Sequence, residues 1–305
     1  MNPEDESMLD ALTTEASSPP GGPEIDQLPV TDLVALMNEH DATIAAAVRT
    51  ALPSIAAAVT AATARMRDGG RLIYVGAGTS GRLGVLDASE VPPTFGLDDV
   101  VVGVIAGGPA ALLSAAEGIE DDDEAGAADL AALGVGPLDT VVGIASSGRT
   151  PYVLGALAHA ADNGALTVGL ACNLGTPLAR IATHGIEVPV GPEVVSGSTR
   201  LGAGTATKMV LNMISTVTMV QLGKTYGSLM IDMRANNAKL RHRAVRMVTE
   251  ATGADDATAV AALDESGWHA KLAIATILTG LSPAEASQAL ELAAGRLRTV
   301  IEERG

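Results

Sequence analysis

Aromatic residues are scarce in this chain of 305 residues. Phe, Trp and Tyr together account for 2% of the residues, while 47% are hydrophobic. The core must therefore be built from Ala, Val, Leu, Ile and Met, whose small side chains allow helices and turns to approach closely. The length and the hydrophobic fraction suffice for one sizeable core and a small satellite domain, and the composition favours a helix-rich α/β protein.

Positive charge is also in short supply, because 19 Lys and Arg stand against 36 Asp and Glu and give a net charge of −17. No run of Lys or Arg forms a basic stripe, so neither nucleic acid nor an anionic membrane surface is expected as a partner. The molecule as a whole would repel a phosphorylated ligand. Any phosphate site must therefore depend on local backbone N–H groups and helix N-termini.

The chain has one cysteine, Cys172, which excludes an intrachain disulfide. Its first residues, MNPEDESMLD, lack the basic and apolar regions of a secretory signal, and no long uninterrupted apolar run occurs. These absences predict a cytoplasmic protein with no membrane span. The five histidines are scattered, so no metal site is expected, and no other cofactor is predicted.

Short apolar runs alternate with helical patterns from Arg71 onward. The runs are LIYV, VVVGVIA, TVVGIA, LTVGLA and GIEVPV. They are typical of parallel strands buried on both faces, and crossover helices are predicted at residues 110–118, 151–163 and 203–222. Because ligands of open parallel sheets bind at the carboxyl ends of the strands, the loops after these runs are the place to look for chemistry.

The sequences on either side of this region differ from it. Residues 1 to about 30 have the composition of a mobile leader. Helical patterns follow at 30–37, in the Ala-rich run that Asp41 could cap, and at 54–66. Beyond residue 227 a helical pattern at 230–252 precedes three short helical segments, with Asp255 and Ser282 as caps. The predicted domains are 1–65, 66–227 and 228–305, the last one ubiquitin-associated-like.

Two strand ends carry a similar motif. The first strand leads into GAGTSGR (76–82), which formally matches the dinucleotide-binding GxGxxG pattern. A dinucleotide site would need an acid at the end of the second strand, which instead ends in AGG (106–108), so NAD is not expected. The third strand leads into SSGRT (146–150), which repeats the Ser-Gly-Arg sequence.

Small hydroxyl residues and glycines at a helix start offer N–H and O–H donors that can hold a phosphate without lysine. We therefore predict that a phosphate is bound by hydroxyls at both strand ends. The alternative is that these side chains only cap the helices that follow. The predicted set is Thr79, Ser80, Ser146, Ser147 and Thr150.

Longer segments carry a resemblance to a known family. They are VGAGTSGRLGVLDASEVPPTFG, IAGG, AAEGIEDD, ASSGRTPYV and GSTRLGAGTATKMVLNM, and the similarity runs from near Leu12 to about Arg298. The sequence resembles the N-acetylmuramic acid 6-phosphate etherases of the sugar isomerase (SIS) domain superfamily. The resemblance implies a flavodoxin-like, three-layer α/β SIS domain with N-terminal helices and a small C-terminal helical domain. It also implies a small-molecule sugar phosphate ligand and a homodimer with its sites near the subunit interface.

The resemblance implies roles for individual residues. Glu90 in DASE matches the family's catalytic acid/base, and Glu120 in GIED matches a second active-site carboxylate. Glu193 follows the last predicted strand, at a place where SIS isomerases carry a functional glutamate. The predicted hydroxyl residues other than Thr79 match superfamily positions that contact the sugar phosphate. Glu117 and Asp121 are interpreted as surface neighbours. Val91 replaces the usual cysteine, which therefore is not required as a nucleophile.

The implied reaction suits two carboxylates. In the open-chain sugar the C2 proton is α to the C1 aldehyde, so a base can remove it while lactate leaves C3 with a proton on its ether oxygen. Water then adds at C3. We expect Glu120 to be the base, in a mostly apolar pocket that raises its pKa, and Glu90 to protonate the lactate and activate the water.

Two other functions remain open at this stage. A non-catalytic sugar-phosphate sensor, like the regulatory protein of glucokinase, would bind without releasing lactate. A phosphosugar isomerase would share enolisation at C2 but have no leaving group at C3. The polar segment LTTEAS also suggests that Glu15 packs against the neighbouring subunit's pocket.

Overall fold

The computed structural model describes residues 12–16, 24–114, 118–232 and 238–303. Predictions for the remaining leader residues and for Glu117 lie outside the described residues. The chain divides into two compact units: Met1–Ser89 with Asp99–Ser215, and Glu90–Asp98 with Thr216–Gly305. The predicted domain boundaries after residues 65 and 227 group the chain differently and stay a prediction.

Five parallel strands form the sheet of the first unit, in the order β2-β1-β3-β4-β5. Gly76 at the end of β1 pairs with Ile105 of β2 on one side and with Ile144 of β3 on the other. This flavodoxin-like order confirms the predicted α/β fold class, and the strand order reverses between β1 and β3. The strands are β1 Leu72–Gly76, β2 Val101–Ile105, β3 Thr140–Ile144, β4 Leu166–Ala171 and β5 His184–Glu187.

The last strand is shorter than its apolar run. β5 ends at Glu187, which pairs with Ala171, the last residue of β4. The backbone N–H of Val188 still donates a hydrogen bond of 2.9 Å to the carbonyl of Ala171. The next residue, Pro189, has no N–H with which to extend the ladder.

Helices cover this sheet. The helices predicted at 151–163 and 203–222 are confirmed as α5 and α7. The predicted cap at Asp41 is wrong, because α1 runs unbroken through it, and an exposed Asp costs a helix interior little. The helices are α1 Val30–Thr50, α2 Leu52–Arg67, α3 Gly78–Phe95, α4 Asp123–Ala132, α5 Pro151–Asp162, α6 Pro177–Ile181 and α7 Gly202–Gln221.

The helix predicted at 110–118 is wrong. A short 3-10 helix, Gly108–Leu112, takes its place, and α4 supplies the crossover. The Arg82 guanidinium explains the difference, because it donates hydrogen bonds of 2.8–3.3 Å to the carbonyls of Ala111, Leu112 and Ser114. Carbonyls held in this way are drawn out of the backbone pattern that an α-helix needs.

Glycine sets the close packing of α3 on the sheet. A Cβ atom on Gly81 would lie 2.5 Å from the carbonyl oxygen of Gly76 and 2.7 Å from a side-chain carbon of Ile105. The glycine-rich motif therefore serves helix–strand packing at this position. Its first helical residue, Gly78, has φ of +53°, which favours glycine at the sharp turn from β1 into α3.

The second unit has its own apolar core and five helices of its own among the described residues. Of the helix predicted at 230–252, residues 230–232 are not helical and Ala238–Thr252 is, and one helix more than predicted closes the unit. Both predicted caps are confirmed: Asp255 accepts a hydrogen bond from the backbone N–H of Thr258, and Ser282 forms a capping box with Glu285. The helices are α8 Ala238–Thr252, α9 Asp256–Glu265, α10 Ala270–Thr279, α11 Pro283–Leu292 and α12 Leu297–Glu302.

Among the described residues no single helix has both the length and the apolar character to cross a membrane. Only α1 and α2 taken together meet that test, and they are bent by 60° with respect to each other.

Candidate active site

A cavity of about 370 Å³ opens at the carboxyl ends of β1 and β3. Because the strand order reverses between these two strands, the loops that follow them diverge and leave a crevice, which is where ligands bind in such sheets. All of its lining residues belong to the first unit. They are Glu15, Ala77, Gly78, Thr79, Ser80, Glu120, Asp121, Ile144, Ala145, Ser146, Ser147, Arg149, Thr150, Pro151 and Thr199.

The first turn of α3 forms one wall. Thr79 and Ser80 lie on this turn, and Ser80 is 9% exposed. The first N–H groups of an α-helix have no partner within the helix, so this wall offers backbone donors together with hydroxyls.

The loop after β3 forms the facing wall with Ser146, Ser147 and Thr150. The loop turns at Gly148, where φ is +66° and a Cβ atom would lie 2.4 Å from Cβ of Thr176. Thr150 is the N-cap residue of α5, yet its side chain makes no capping hydrogen bond. The capping alternative is therefore wrong for Thr150, and the fold brings together every hydroxyl predicted for the phosphate site.

The two Ser-Gly-Arg sequences differ in what their arginines do. Arg82 holds the loop after β2 through its hydrogen bonds to carbonyls, whereas Arg149 lines the cavity. The sequence interpretation assigned no role to Arg149. Its position beside the repeated hydroxyls was the available signal, but only the fold separates the two arginines.

Carboxylate side chains also line this cavity. Glu120 lies on the 3-10 turn Ile119–Asp121 and lines the cavity with an exposed side chain, and its catalytic role stays a prediction. Asp121, interpreted as a surface neighbour, is exposed and lines the cavity as well. The expectation of a mostly apolar pocket is wrong, because hydroxyls, carboxylates and Arg149 supply much of the lining.

Glu15 lies in the cavity of its own chain. The expectation that it packs against a neighbouring subunit's pocket is therefore wrong for this structure. Thr199, which sequence reasoning missed, lines the same cavity. Neither residue follows a strand, so the rule that located the other residues could not find them.

Glu90 belongs to the second unit and lies on α3, with an exposed side chain. Its carbonyl accepts a hydrogen bond of 2.8 Å from Oγ1 of Thr94. The helix continues past it through Pro92 and Pro93 to Phe95, so Glu90 does not mark the helix end. Its catalytic role stays a prediction.

Glu193 has a different position from the one expected for a ligand contact. It is 1% exposed, and its two carboxylate oxygens accept hydrogen bonds from the backbone N–H groups of Gly202 at 2.8 Å and Ala203 at 2.9 Å. A negative charge at the N-terminus of a helix is stabilising. Glu193 does not line the cavity, and these contacts assign it to the start of α7, so its predicted substrate contact has no support in this geometry.

Asp87 in the DASE sequence belongs to a buried network. Its carboxylate accepts hydrogen bonds from Oη of Tyr74 at 2.8 Å and from Nδ2 of Asn212. Burial, and then the negative charge of Asp87, raise the pKa of Tyr74 well above its usual value. Asp87 thus ties α3 to β1 and α7, a role that the motif alone did not reveal.

The cysteine has no catalytic environment. Cys172 is fully buried, and burial raises the pKa of its thiol to about 12. A thiol in this state is a poor nucleophile at neutral pH. In the part of the chain that the structure describes, no three or more His, Cys, Asp or Glu residues are grouped to hold a metal ion.

The fold and the site define an SIS-domain protein. The SIS domain family matches residues 121–219, and the family described as the glucokinase regulatory protein N-terminal SIS domain matches residues 54–161.

Whole-length relatives narrow this class. The N-acetylmuramic acid 6-phosphate etherase of Streptomyces avermitilis is 56% identical, over 96% of this chain and 94% of that protein. Those of Mycolicibacterium smegmatis and Salmonella typhimurium are 54% and 52% identical over 96% of this chain, covering 98% and 99% of those proteins. The chain belongs to the N-acetylmuramic acid 6-phosphate etherase family.

Proposed function

We propose that this protein cleaves the lactyl ether of N-acetylmuramic acid 6-phosphate, releasing D-lactate and adding water to give N-acetylglucosamine 6-phosphate. One observation carries the proposal: a cavity at the strand-order reversal joins hydroxyls from two separate loops with the carboxylate of Glu120. The whole-length relatives named for this activity support the choice of reaction.

The sugar phosphate binds between the two loops. The first turn of α3 offers backbone N–H donors, and the hydroxyls of Ser80, Ser146 and Thr150 add further donors. Local donors are needed because the chain carries a net charge of −17. Arg149, a cation in the cavity lining, adds positive charge at the loop after β3.

Glu120 is the proposed base. It takes the C2 proton of the open-chain sugar, the C–H electron pair forms the C2–C3 double bond, and the C3–O bond breaks as lactate leaves with a proton. Water then adds its oxygen to C3 and a proton returns to C2. The location of Glu120 at the cavity supports this role.

Glu90 is the proposed acid that protonates the departing lactate and the base that then activates water. Its match to the family's DASE sequence supports the assignment.

A homodimer in the cytoplasm is the proposed state of the protein. The apolar side chains of Val30, Val34 and Met37 recur at helical spacing on α1 and are 78%, 62% and 37% exposed, which favours association through this helix. The buried, unpaired thiol of Cys172 fits a reducing compartment. Light scattering of the wild type and Val34→Asp, which should dissociate, tests the dimer.

The reaction is tested by incubating the protein with N-acetylmuramic acid 6-phosphate in ¹⁸O-labelled water. We expect unlabelled D-lactate and one ¹⁸O at C3 of N-acetylglucosamine 6-phosphate by mass spectrometry. Label in the lactate would mean cleavage on the other side of the ether oxygen and would contradict the elimination.

The match to the glucokinase regulatory protein domain at residues 54–161 favours one alternative, a sensor that binds sugar phosphates without turning them over. Calorimetric binding of N-acetylmuramic acid 6-phosphate with no lactate release after prolonged incubation would support the sensor and contradict the etherase.

A further inference from the structure

Glu15 reaches the cavity on a segment that is firmly attached to the first unit. Within residues 12–16, Leu12 is 4% exposed and Thr14 is 0% exposed. Oγ1 of Thr13 donates a hydrogen bond of 3.0 Å to Oδ1 of Asn173. Nδ2 of Asn173 donates in turn to Oγ1 of Thr14 at 3.0 Å and to the carbonyl of Ser146 at 2.9 Å. Asn173 therefore connects this segment to a loop that forms a wall of the cavity.

A second set of contacts fixes Glu15 from the other side. Oγ of Ser196 donates hydrogen bonds of 3.3 Å to the carbonyls of Glu15 and Ala16. Gly197 has φ of +72°, and a Cβ atom there would lie 2.8 Å from Oε2 of Glu15. The carboxylate thus lies directly above the Gly197 backbone, and a side chain at that position would displace it.

The chemistry of the carboxylate limits what it can bind. An ionised carboxylate only accepts hydrogen bonds, and none of the described residues donates one to the carboxylate of Glu15. It would repel both the phosphate and the lactyl carboxylate of the substrate. A sugar hydroxyl or the acetamido N–H is the kind of group that it would attract.

We propose that Glu15 accepts a hydrogen bond from a donor on the sugar, either a ring hydroxyl or the acetamido N–H, and thereby positions the sugar for reaction at C2 and C3. This inference rests on the proposed function for its ligand. It gives the cavity, beside Glu120, a second carboxylate with an assigned role, which is in binding rather than in proton transfer.

The test measures binding, so that it does not depend on turnover. Wild type, Glu15→Ala and Glu15→Gln are titrated calorimetrically with N-acetylglucosamine 6-phosphate, glucose 6-phosphate and inorganic phosphate. We expect Glu15→Ala to weaken the binding of N-acetylglucosamine 6-phosphate on the order of tenfold and Glu15→Gln to weaken it less. Neither substitution should change the affinity for inorganic phosphate. Weaker binding of glucose 6-phosphate by the variant as well would show that a hydroxyl donor suffices, whereas unchanged binding of glucose 6-phosphate would identify the acetamido N–H as the partner.

Glu39 is an exposed glutamate of α1 outside the cavity, so Glu39→Gln is the matched control. This variant should bind all three ligands as the wild type does. Unchanged affinity of Glu15→Ala for both sugar phosphates would overturn the proposal. The proposal would also be overturned if Glu15→Ala bound inorganic phosphate as much more weakly as it bound the sugar phosphates and had a lower Tm. That result would assign Glu15 a structural role alone. A wild type that binds these ligands but releases no lactate would instead contradict the proposed function and leave the Glu15 result readable.

Discussion

Two hydroxyls at helix starts, Ser282 in the second unit and Thr150 in the first, are used in opposite ways. In the second unit, Ser282 accepts a hydrogen bond from the backbone N–H of Glu285, and the Glu285 side chain returns one to the Ser282 backbone. In the first unit, Thr150 precedes α5 without capping it and lines the cavity instead. A hydroxyl engaged with its own helix stabilises the fold, whereas one that is not so engaged remains available to a ligand.

Charged groups at the cavity differ in the same way from a charged cluster inside the second unit. In the second unit, Nζ of Lys271 lies 2.7 Å from Oδ2 of Asp232 and 3.0 Å from the carbonyl of Gly295, and Lys224 contacts the same Asp232 oxygen at 2.9 Å. Burial lowers the pKa of Lys271, despite the opposing effect of Asp232. In the first unit, the carboxylates of Glu120 and Asp121 lie at the cavity. Polar groups that the fold does not use internally therefore mark the functional unit.

The largest expected effect is on catalysis in the first unit. Glu120→Gln should lower kcat for D-lactate release by about 10²–10⁴-fold, because the amide cannot take the C2 proton. The Tm should not fall, since the side chain is exposed. Glu124→Gln, a nearby exposed glutamate that does not line the cavity, should keep wild-type activity. A fully active Glu120→Gln protein would exclude Glu120 as the base.

The next largest effect is on the core of the second unit. Ile274→Ala should lower the free energy of unfolding by about 2–5 kcal/mol, because a fully buried side chain is replaced by a cavity. Urea denaturation followed by circular dichroism measures the change. Val260→Ala, at a position that is 36% exposed, should change the free energy by less than about 0.5 kcal/mol. Equal effects of the two substitutions would contradict the assigned core.

An ion pair in the first unit should give a pH-dependent effect. Burial alone would raise the pKa of Asp139, but hydrogen bonds from Arg71 and the backbone N–H of Gly136 outweigh it and lower the pKa. The pair should therefore stabilise the fold above the ordinary carboxyl pKa of about 3.9 and lose this contribution as pH falls toward the lower folded-state pKa.

Asp139→Asn should consequently destabilise the protein by about 1–3 kcal/mol at pH 7, and the difference from wild type should shrink at pH below about 4. Urea denaturation at a series of pH values measures it. A difference that does not change with pH would mean that the charge of Asp139 contributes nothing.

The smallest effects sharpen the hydroxyl comparison directly. Ser282→Ala should lower the free energy of unfolding by about 1 kcal/mol through loss of the cap and leave KM unchanged. Thr150→Val should raise KM several-fold and leave the free energy of unfolding within about 0.5 kcal/mol of wild type. If Thr150→Val lost stability and kept its KM, the distinction between the two helix starts would be wrong.

Local patterns predicted what depends on neighbouring residues. The five apolar runs identified the strands, and Asp255 and Ser282 were recognised as caps because a cap interacts with its own helix within three residues. The hydroxyl loops were found because parallel strands bring their carboxyl ends to one edge. The expected helix at 110–118 failed because Arg82, distant in sequence, binds its carbonyls.

The sequence by itself determined the α/β class, the hydroxyl-bearing strand ends and the family. Tertiary structure alone decided that β1 and β3 are neighbours across the reversal of strand order, which turns two separate motifs into one cavity. It also decided that Glu193 holds the start of α7, whereas Glu15 and Asp121 reach the cavity. The physical reason is that such roles depend on contacts between residues far apart in the chain, and no local pattern encodes those contacts.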